Sequence, residues 1–149
     1  MDFSKSMEYE KYAPTIRRNM YPYYEERGVE WIEAEKHEHY RKCDLYSFGE
    51  TEEVGFLMIL KEQDRFYLAE LHVFDELQSR GYGSQAISWI LGVAAEEGFA
   101  RVYVRVFKNN PAYGLYLRHG FSFDAAYPHT DQLVANTHNQ STLPFLPDR

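Results

Sequence analysis

A single cysteine, Cys43, stands in a chain of 149 residues, so no internal disulfide can form and the fold must hold by packing, which fits a reducing compartment. Long apolar runs are missing as well. The longest, Val54 to Leu60 and interrupted by Gly55, is far short of a membrane span. The opening Met1-Asp2-Phe3-Ser4-Lys5-Ser6-Met7-Glu8 lacks the apolar stretch of a signal peptide. Positive charge is in deficit, 16 Lys and Arg against 23 Asp and Glu, which argues against a nucleic-acid binder working through a broad basic surface. A cytoplasmic protein with neither nucleic acid nor membrane as partner is the expectation. What the chain does have is 44% hydrophobic residues, thirteen tyrosines, and the length to bury a core as one domain, 1–149.

Hydrophobic periodicity divides the chain into elements. Tyr9, Tyr12, Ile16 and Met20 recur at helical steps, and Val29, Ile32, Lys36 and Tyr40 predict a second helix beyond Gly28. Leu45 to Phe48, Val54 to Lys61 and Phe66 to Phe74 then read as an antiparallel meander of short strands. Ala86, Ile87, Ile90, Leu91, Ala94 and Ala95 form the apolar stripe of a helix over about 82–97, with Gly98 behind it. Val102, Val104 and Val106 alternate with Tyr103, Arg105 and Phe107, a strand with one apolar face. Asn110-Pro111 opens a further helix that Gly120 closes, with Asn110 as its cap. Phe121 to Tyr127 and Gln132 to Ala135 read as two last strands. The order predicts an α/β or α+β single domain, with an irregular tail at 142–149 that carries Pro144 and Pro147.

The stretch that speaks to function is Val73-Phe74-Asp75-Glu76-Leu77-Gln78-Ser79-Arg80-Gly81-Tyr82-Gly83-Ser84, where a strand passes into an amphipathic helix through a glycine-punctuated turn. Glycines at this spacing let the backbone approach a ligand closely, and the amides of such a turn converge with the helix N-terminus on one anion. Read from Gly81, it is Gly-x-Gly-x-x-Ala, which overlaps a dinucleotide-binding fingerprint. That fingerprint needs its first glycine directly after a strand and an acid at the end of the next one. Here seven residues intervene, and the next strand ends in Val106-Phe107-Lys108.

Read from Gln78, the segment is Gln-x-x-Gly-x-Gly, and the next strand is followed by Asn109-x-x-Ala112-x-x-Leu115-Tyr116-x-x-x-Gly120-Phe121. In these two signatures the chain resembles the GNAT superfamily of acyl-coenzyme A (CoA) dependent N-acetyltransferases, closely over about residues 53–136 and more loosely across the N-terminal helices. The resemblance implies a GNAT-like single domain with a mixed central sheet and helices on both faces. Two parallel strands, matching Leu68 to Phe74 and Ala100 to Phe107, would splay apart to bind acyl-CoA. It implies acetyl-CoA as co-substrate, no metal, and an amine of a small molecule or peptide as acceptor. A non-catalytic acyl-CoA-binding module of the same fold is the alternative.

By the same resemblance the backbone of Leu71, His72 and Val73 would line the acetyl group and pantetheine. Behind Gln78, the amides of Ser79, Arg80, Gly81, Tyr82, Gly83 and Ser84 would wrap the pyrophosphate. The Arg80 side chain would either add a phosphate contact or stay a solvated surface arginine. Asn109 would hydrogen-bond the pantetheine chain, Asn110 being better placed to cap the helix. Tyr116 matches the family's proton donor, and a phenol near pKa 10 can protonate a thiolate whose thiol lies near about 8.5. Some relatives carry a glutamate base where this chain has Val104. Glu70 is the local candidate instead, with His72 on the same strand face; a strand-edge carboxylate in water is the other reading of Glu70.

His37, His39 and Cys43 lie within a turn or two of one helix, and the four-residue step from His39 to Cys43 could support metal binding, but no third ligand is evident and ordinary surface and interface roles are preferred. Tyr21, Tyr23, Tyr24 and Trp31 lie where GNAT proteins form an acceptor wall; core packing is the equal alternative. Family members usually open with a short strand, for which only Asp2 to Ser6 is on offer here. The expectation is a short or missing strand, and a bare sheet edge that a homodimer or the tail would cover.

Overall fold

The computed structural model describes residues 1–137; the tail expected at 142–149 lies outside them. The chain runs β1 (Asp2–Ser6), α1 (Tyr9–Glu26), α2 (Glu33–Arg41), β2 (Asp44–Gly49), β3 (Glu53–Glu62), β4 (Arg65–Val73), α3 (Tyr82–Glu96), β5 (Arg101–Phe107), α4 (Ala112–Arg118), β6 (Ser122–Ala126) and β7 (Thr130–Asn136). The strands form one mixed sheet in the order β1-β2-β3-β4-β5-β7-β6. This is the α/β mixed-sheet class expected. Two compact units divide the described residues: Met1–Leu60 with Ala69–Arg80, and Lys61–Leu68 with the described residues from Gly81. β4 belongs to both, changing unit between Leu68 and Ala69.

In the first unit α1 buries Tyr9, Tyr12, Ala13 and Ile16, the i, i+3, i+4, i+7 stripe of an amphipathic helix. These pack with Tyr40, Cys43, Leu45, Phe56 and Met58 into one apolar cluster. α1 contains Pro14 and Pro22, each of which removes one helical amide, so the carbonyls of Glu10 and Arg18 lose their i+4 donors. α2 begins at Glu33 and not at Val29, because the Val29 amide closes onto the Tyr24 carbonyl at 2.9 Å and Ile32 is extended.

Of the two alternatives, short or missing, the first strand is short: Asp2 to Ser6 pair antiparallel with Gly49 to Leu45. As the outermost strand of the sheet it has little apolar pattern to display, and Phe3 sets its ring on Phe48 at 5.3 Å. The bare β2 edge invoked for a homodimer is therefore covered by β1. Deeper in the unit, β3 passes close to β4 at Gly55, where an added Cβ would press on the His72 carbonyl and lie 2.7 Å from Phe48 Cζ.

In the second unit β4 and β5 pair in parallel over Phe66–Leu68 and Val102–Val104, and α3 turns Ala86, Ile87, Ile90, Leu91 and Ala94 inward. Alternation predicts one apolar face for β5. The structure buries that face and covers Tyr103 and Phe107 on the other, where Arg101 and Arg105 stay exposed. Tyr103 packs beside Tyr67 at 5.7 Å, and the Arg65 guanidinium stands 4.4 Å over its ring. β7 runs antiparallel between β5 and the outer strand β6, whose register slips between Phe123 and Ala125. At the slip Asp124 accepts from Gln132 Nε2 at 3.0 Å, and Gln132 Oε1 accepts from Arg105 Nε at 3.2 Å.

Two outcomes follow from the first unit. Gly55→Ala is expected to lose about 1–3 kcal/mol of stability, the usual cost of forcing a methyl into a filled site; an unchanged urea midpoint would show that the strands part freely there. Tyr12 donates its hydroxyl to Glu53 Oε2 at 2.6 Å, and burial, followed by that hydrogen bond and the Glu53 charge, pushes its pKa up to about 12 from 10.0. Folding favours the neutral phenol, so this contribution is whole below pH 10.0 and is lost as pH rises through about 12. Urea midpoints across that window should fall less steeply in Tyr12→Phe than in the wild type, and parallel curves would clear Tyr12 of the alkaline loss.

Candidate functional site

The turn between β4 and α3 is shaped by two left-handed residues and one side-chain clasp. After Val73, a 3-10 turn at Asp75–Leu77 leads to Gln78, which is extended. Its side-chain amide reaches back to the Val73 carbonyl at 3.0 Å and lies 3.5 Å from Asp75 Oδ1. Ser79 then sits at φ 66° and Gly81 at φ 86°. The left-handed conformation is natural for the glycine and costs the serine about 1–3 kcal/mol. Arg80, between them, is exposed. α3 starts at Tyr82 with no side-chain cap and no acid in its first turn. The early amides of a helix have no intrahelical partner, so Tyr82, Gly83 and Ser84 present donors there. Gly83 gives α4 room, since a Cβ in its place would stand 3.1 Å from Leu115 Cδ2, and Ser84 Oγ meets His119 Nε2 at 2.9 Å.

At the start of α4 the two asparagines separate in role. Asn110 Oδ1 accepts the Ala112 amide at 2.9 Å, and Pro111 follows in helical conformation. Asn109 is exposed in the turn before it. Tyr116 is 5% exposed, its ring edge-on to Phe121 at 5.4 Å. One turn earlier, Tyr113 donates to Asp131 Oδ2 at 2.8 Å, and that bond, ahead of burial, raises the Tyr113 pKa.

On the first-unit half of β4, Glu70 and His72 share a face, as alternation expects, and Leu71 and Val73 take the other. His72 Nε2 lies 2.7 Å from Glu70 Oε1, and its Nδ1 lies 2.9 Å from Asn19 Nδ2. The imidazole stacks on Phe56 with centroids 5.1 Å apart. Nearby in this unit, burial followed by the Glu70 charge pushes the Tyr40 phenol well above its ordinary pKa. The Tyr40 hydroxyl and Trp31 Nε1 are buried without a hydrogen-bond partner, a cost of about 1–3 kcal/mol for each such group.

The aromatic stretch expected as an acceptor wall is engaged within the chain. Tyr24 meets Trp31 edge-on at 4.9 Å, and Lys36 Nζ stands over both rings, 4.2 and 4.6 Å from their centroids. Tyr21 carries Arg17 at 5.0 Å. Cys43 is buried and directs Sγ to the His39 carbonyl at 3.5 Å, and His37 faces Glu33 and Glu10. Among the described residues no group of three or more His, Cys, Asp or Glu is gathered as a metal site would need. Sequence reasoning missed Asn19 and Lys36. Asn19 was within reach, because three residues after Ile16 it falls on the buried stripe of α1, where an amide needs a partner.

The chain matches the model of the acetyltransferase (GNAT) family over residues 8–121. No curated protein matches it. Among solved structures it is similar to a GNAT family acetyltransferase from Elizabethkingia anophelis with acetyl-CoA bound, at 15% identity over 68% of this chain and 82% of that one, TM-score 0.61. An acetyltransferase of Bacillus subtilis in complex with CoA shares 16% identity over 70% and 83%, TM-score 0.62. An acetyltransferase from Thermus thermophilus shares 23% over 91% and 97%, TM-score 0.63. At these identities the likeness is one of fold.

The backbone of the turn can be tested by itself. A Cβ added at Gly81 meets nothing within 4 Å, so Gly81→Ala is charged with its φ of +86° alone, about 1–2 kcal/mol. Gly92, inside α3 and equally open, should instead gain about 0.5–1 kcal/mol as alanine. Urea midpoints moving in opposite directions are expected; equal shifts would show that φ does not set the cost.

Proposed function

Because the chain belongs to the acetyltransferase (GNAT) family, we propose that it moves the acetyl group of acetyl-CoA to an amine of a small molecule or peptide, by direct attack in a ternary complex in the cytoplasm. The observation that carries this reading is the start of α3, where left-handed Gly81 leads into a first turn that holds neither cap nor acid. Such a helix end stabilises an anion by about 0.3–2 kcal/mol, and the CoA pyrophosphate is an anion of the right kind. Gln78, by clasping the Val73 carbonyl, keeps Ser79 to Ser84 in the turn that receives it. Arg80 adds a charge-assisted contact. The backbone of Leu71, His72 and Val73 lines the pantetheine and acetyl group. Asn110 caps α4, and Asn109 bonds the pantetheine chain.

Acetyl-CoA supplies the acetyl group as a thioester. Glu70 takes a proton from the acceptor amine, whose nitrogen lone pair forms the bond to the acetyl carbon. The carbon–sulfur bond breaks with its electron pair on sulfur, and Tyr116 delivers a proton there. No cysteine nucleophile is required, and the buried Cys43 is already directed at the His39 carbonyl.

Thiol release from acetyl-CoA across polyamines, amino acids, aminoglycosides and peptide N-termini tests the reading, with turnover expected for at least one class. Tyr116→Phe should lower kcat by about 10²-fold or more while calorimetry finds acetyl-CoA affinity almost unchanged. Binding with no thiol release for any amine would make the chain a non-catalytic acyl-CoA-binding module. Unaltered kcat would remove Tyr116 from the mechanism.

A further inference from the structure

His72 is the one histidine among the described residues counted with the buried polar groups, and both of its ring nitrogens are engaged. Nε2 faces a carboxylate oxygen of Glu70 at 2.7 Å, and Nδ1 faces the side-chain amide nitrogen of Asn19 at 2.9 Å. The chemistry of these partners fixes the proton. An ionised carboxylate only accepts, so Nε2 must carry the hydrogen, and an amide NH₂ only donates, so Nδ1 must be bare. Both demands are met by one neutral tautomer. The ring plane is held as well, stacked on Phe56 at an interplanar angle of 19°.

This arrangement makes His72 a poor base and a good clamp. Its side chain is 6% exposed against 18% for Glu70, and it has no lone pair left that is not already accepting from Asn19. Glu70 is the outward end of the chain of bonds, with Oε1 taken by His72. We propose that His72 is a positioning residue: Asn19 on α1 sets its tautomer, and its Nε2–H holds Glu70 with Oε2 presented to the acceptor amine. The inference rests on the acetyl-transfer reading for the role of Glu70, and on the contacts of α1, β3 and β4 for the relay. In acyl-transfer triads a carboxylate orients an imidazole that does the proton transfer. Here the order is inverted, with an amide orienting an imidazole that orients the carboxylate.

Two measurements on the full chain test it. Long-range proton–nitrogen correlation spectra of the His72 ring are expected to show Nε2–H and a bare Nδ1 in the wild type. In Asn19→Asp, whose side chain accepts where the amide donated, a proton should appear on Nδ1. An Nδ1–H tautomer in the wild type overturns the relay alone, whatever the enzyme does. Kinetics then use acetyl-CoA with the fastest amine of the panel above. His72→Phe keeps an aromatic ring against Phe56 and should lower kcat about ten- to a hundredfold, as when a hydrogen-bond partner behind a functional side chain is removed. KM for acetyl-CoA and the urea midpoint should hardly move. In Glu70→Gln, kcat should fall about 10²-fold or more, and adding His72→Phe to it should cost almost nothing further, because the clamp then has nothing to hold. Losses that multiply in the double variant would reduce His72 to a structural role and overturn the proposal. A panel with no turnover overturns the acetyl-transfer reading, and with it Glu70 as base.

Discussion

The amides at the start of a helix have no carbonyl of their own helix to bond, and the helices of this chain answer that constraint differently. α1 and α2 carry glutamates in the first turn, Glu10 in one and Glu33 with Glu35 in the other. At α4 the side chain of Asn110 takes the Ala112 amide. α3 has neither acid nor side-chain cap. The chain therefore supplies the complement everywhere except where the glycine turn delivers the backbone. The left-handed residues at 79 and 81 and the Gln78 clasp serve that one exception. A serine in a conformation that disfavours it is tolerable if the turn it makes is where an anion is received.

Buried polar groups in the first unit follow the same logic of completed and uncompleted bonds. His72 is satisfied at both nitrogens, so burial rigidifies it and fixes its proton. The Tyr40 hydroxyl and Trp31 Nε1 are not satisfied. Several of the chain's thirteen tyrosines use the phenol as an anchor. Tyr9 bonds the Cys43 carbonyl, Tyr12 bonds Glu53, and Tyr113 bonds Asp131. Each of these joins residues far apart in sequence and adds direction to packing that is otherwise non-directional.

Sequence periodicity located the elements because most bury a regular stripe. It left β1 open between short and missing because five outer-edge residues show almost no alternation, and it started α2 too early because Val29 and Ile32 keep helical spacing while their backbone is committed elsewhere. It found the apolar face of β5 but not the cover over Tyr103 and Phe107, because rings on the second face can pack as well as project. The division into two units was not legible, since β4 changes unit without any break in its pattern. For the site, the motif spacing was readable, and so was the choice of Asn110 over Asn109 as the cap. The partners were not. Nothing in the order of residues brings Asn19 to His72 across fifty-three positions, and nothing in a glutamine announces that it will clasp a carbonyl five residues back.

The register slip in β6 bears on how the chain behaves at high concentration. An outer strand offers a row of unpaired backbone groups on which another strand can build, and β6 also exposes Phe123. The slip interrupts the row at Asp124, whose carboxylate is tied through Gln132 to Arg105 across three strands. An incoming strand would have to cross a bent segment beside a fixed negative charge, with Pro128 two residues beyond the strand's end. The polar bridge that looks like ornament on the sheet thus serves as a guard against fibrous association.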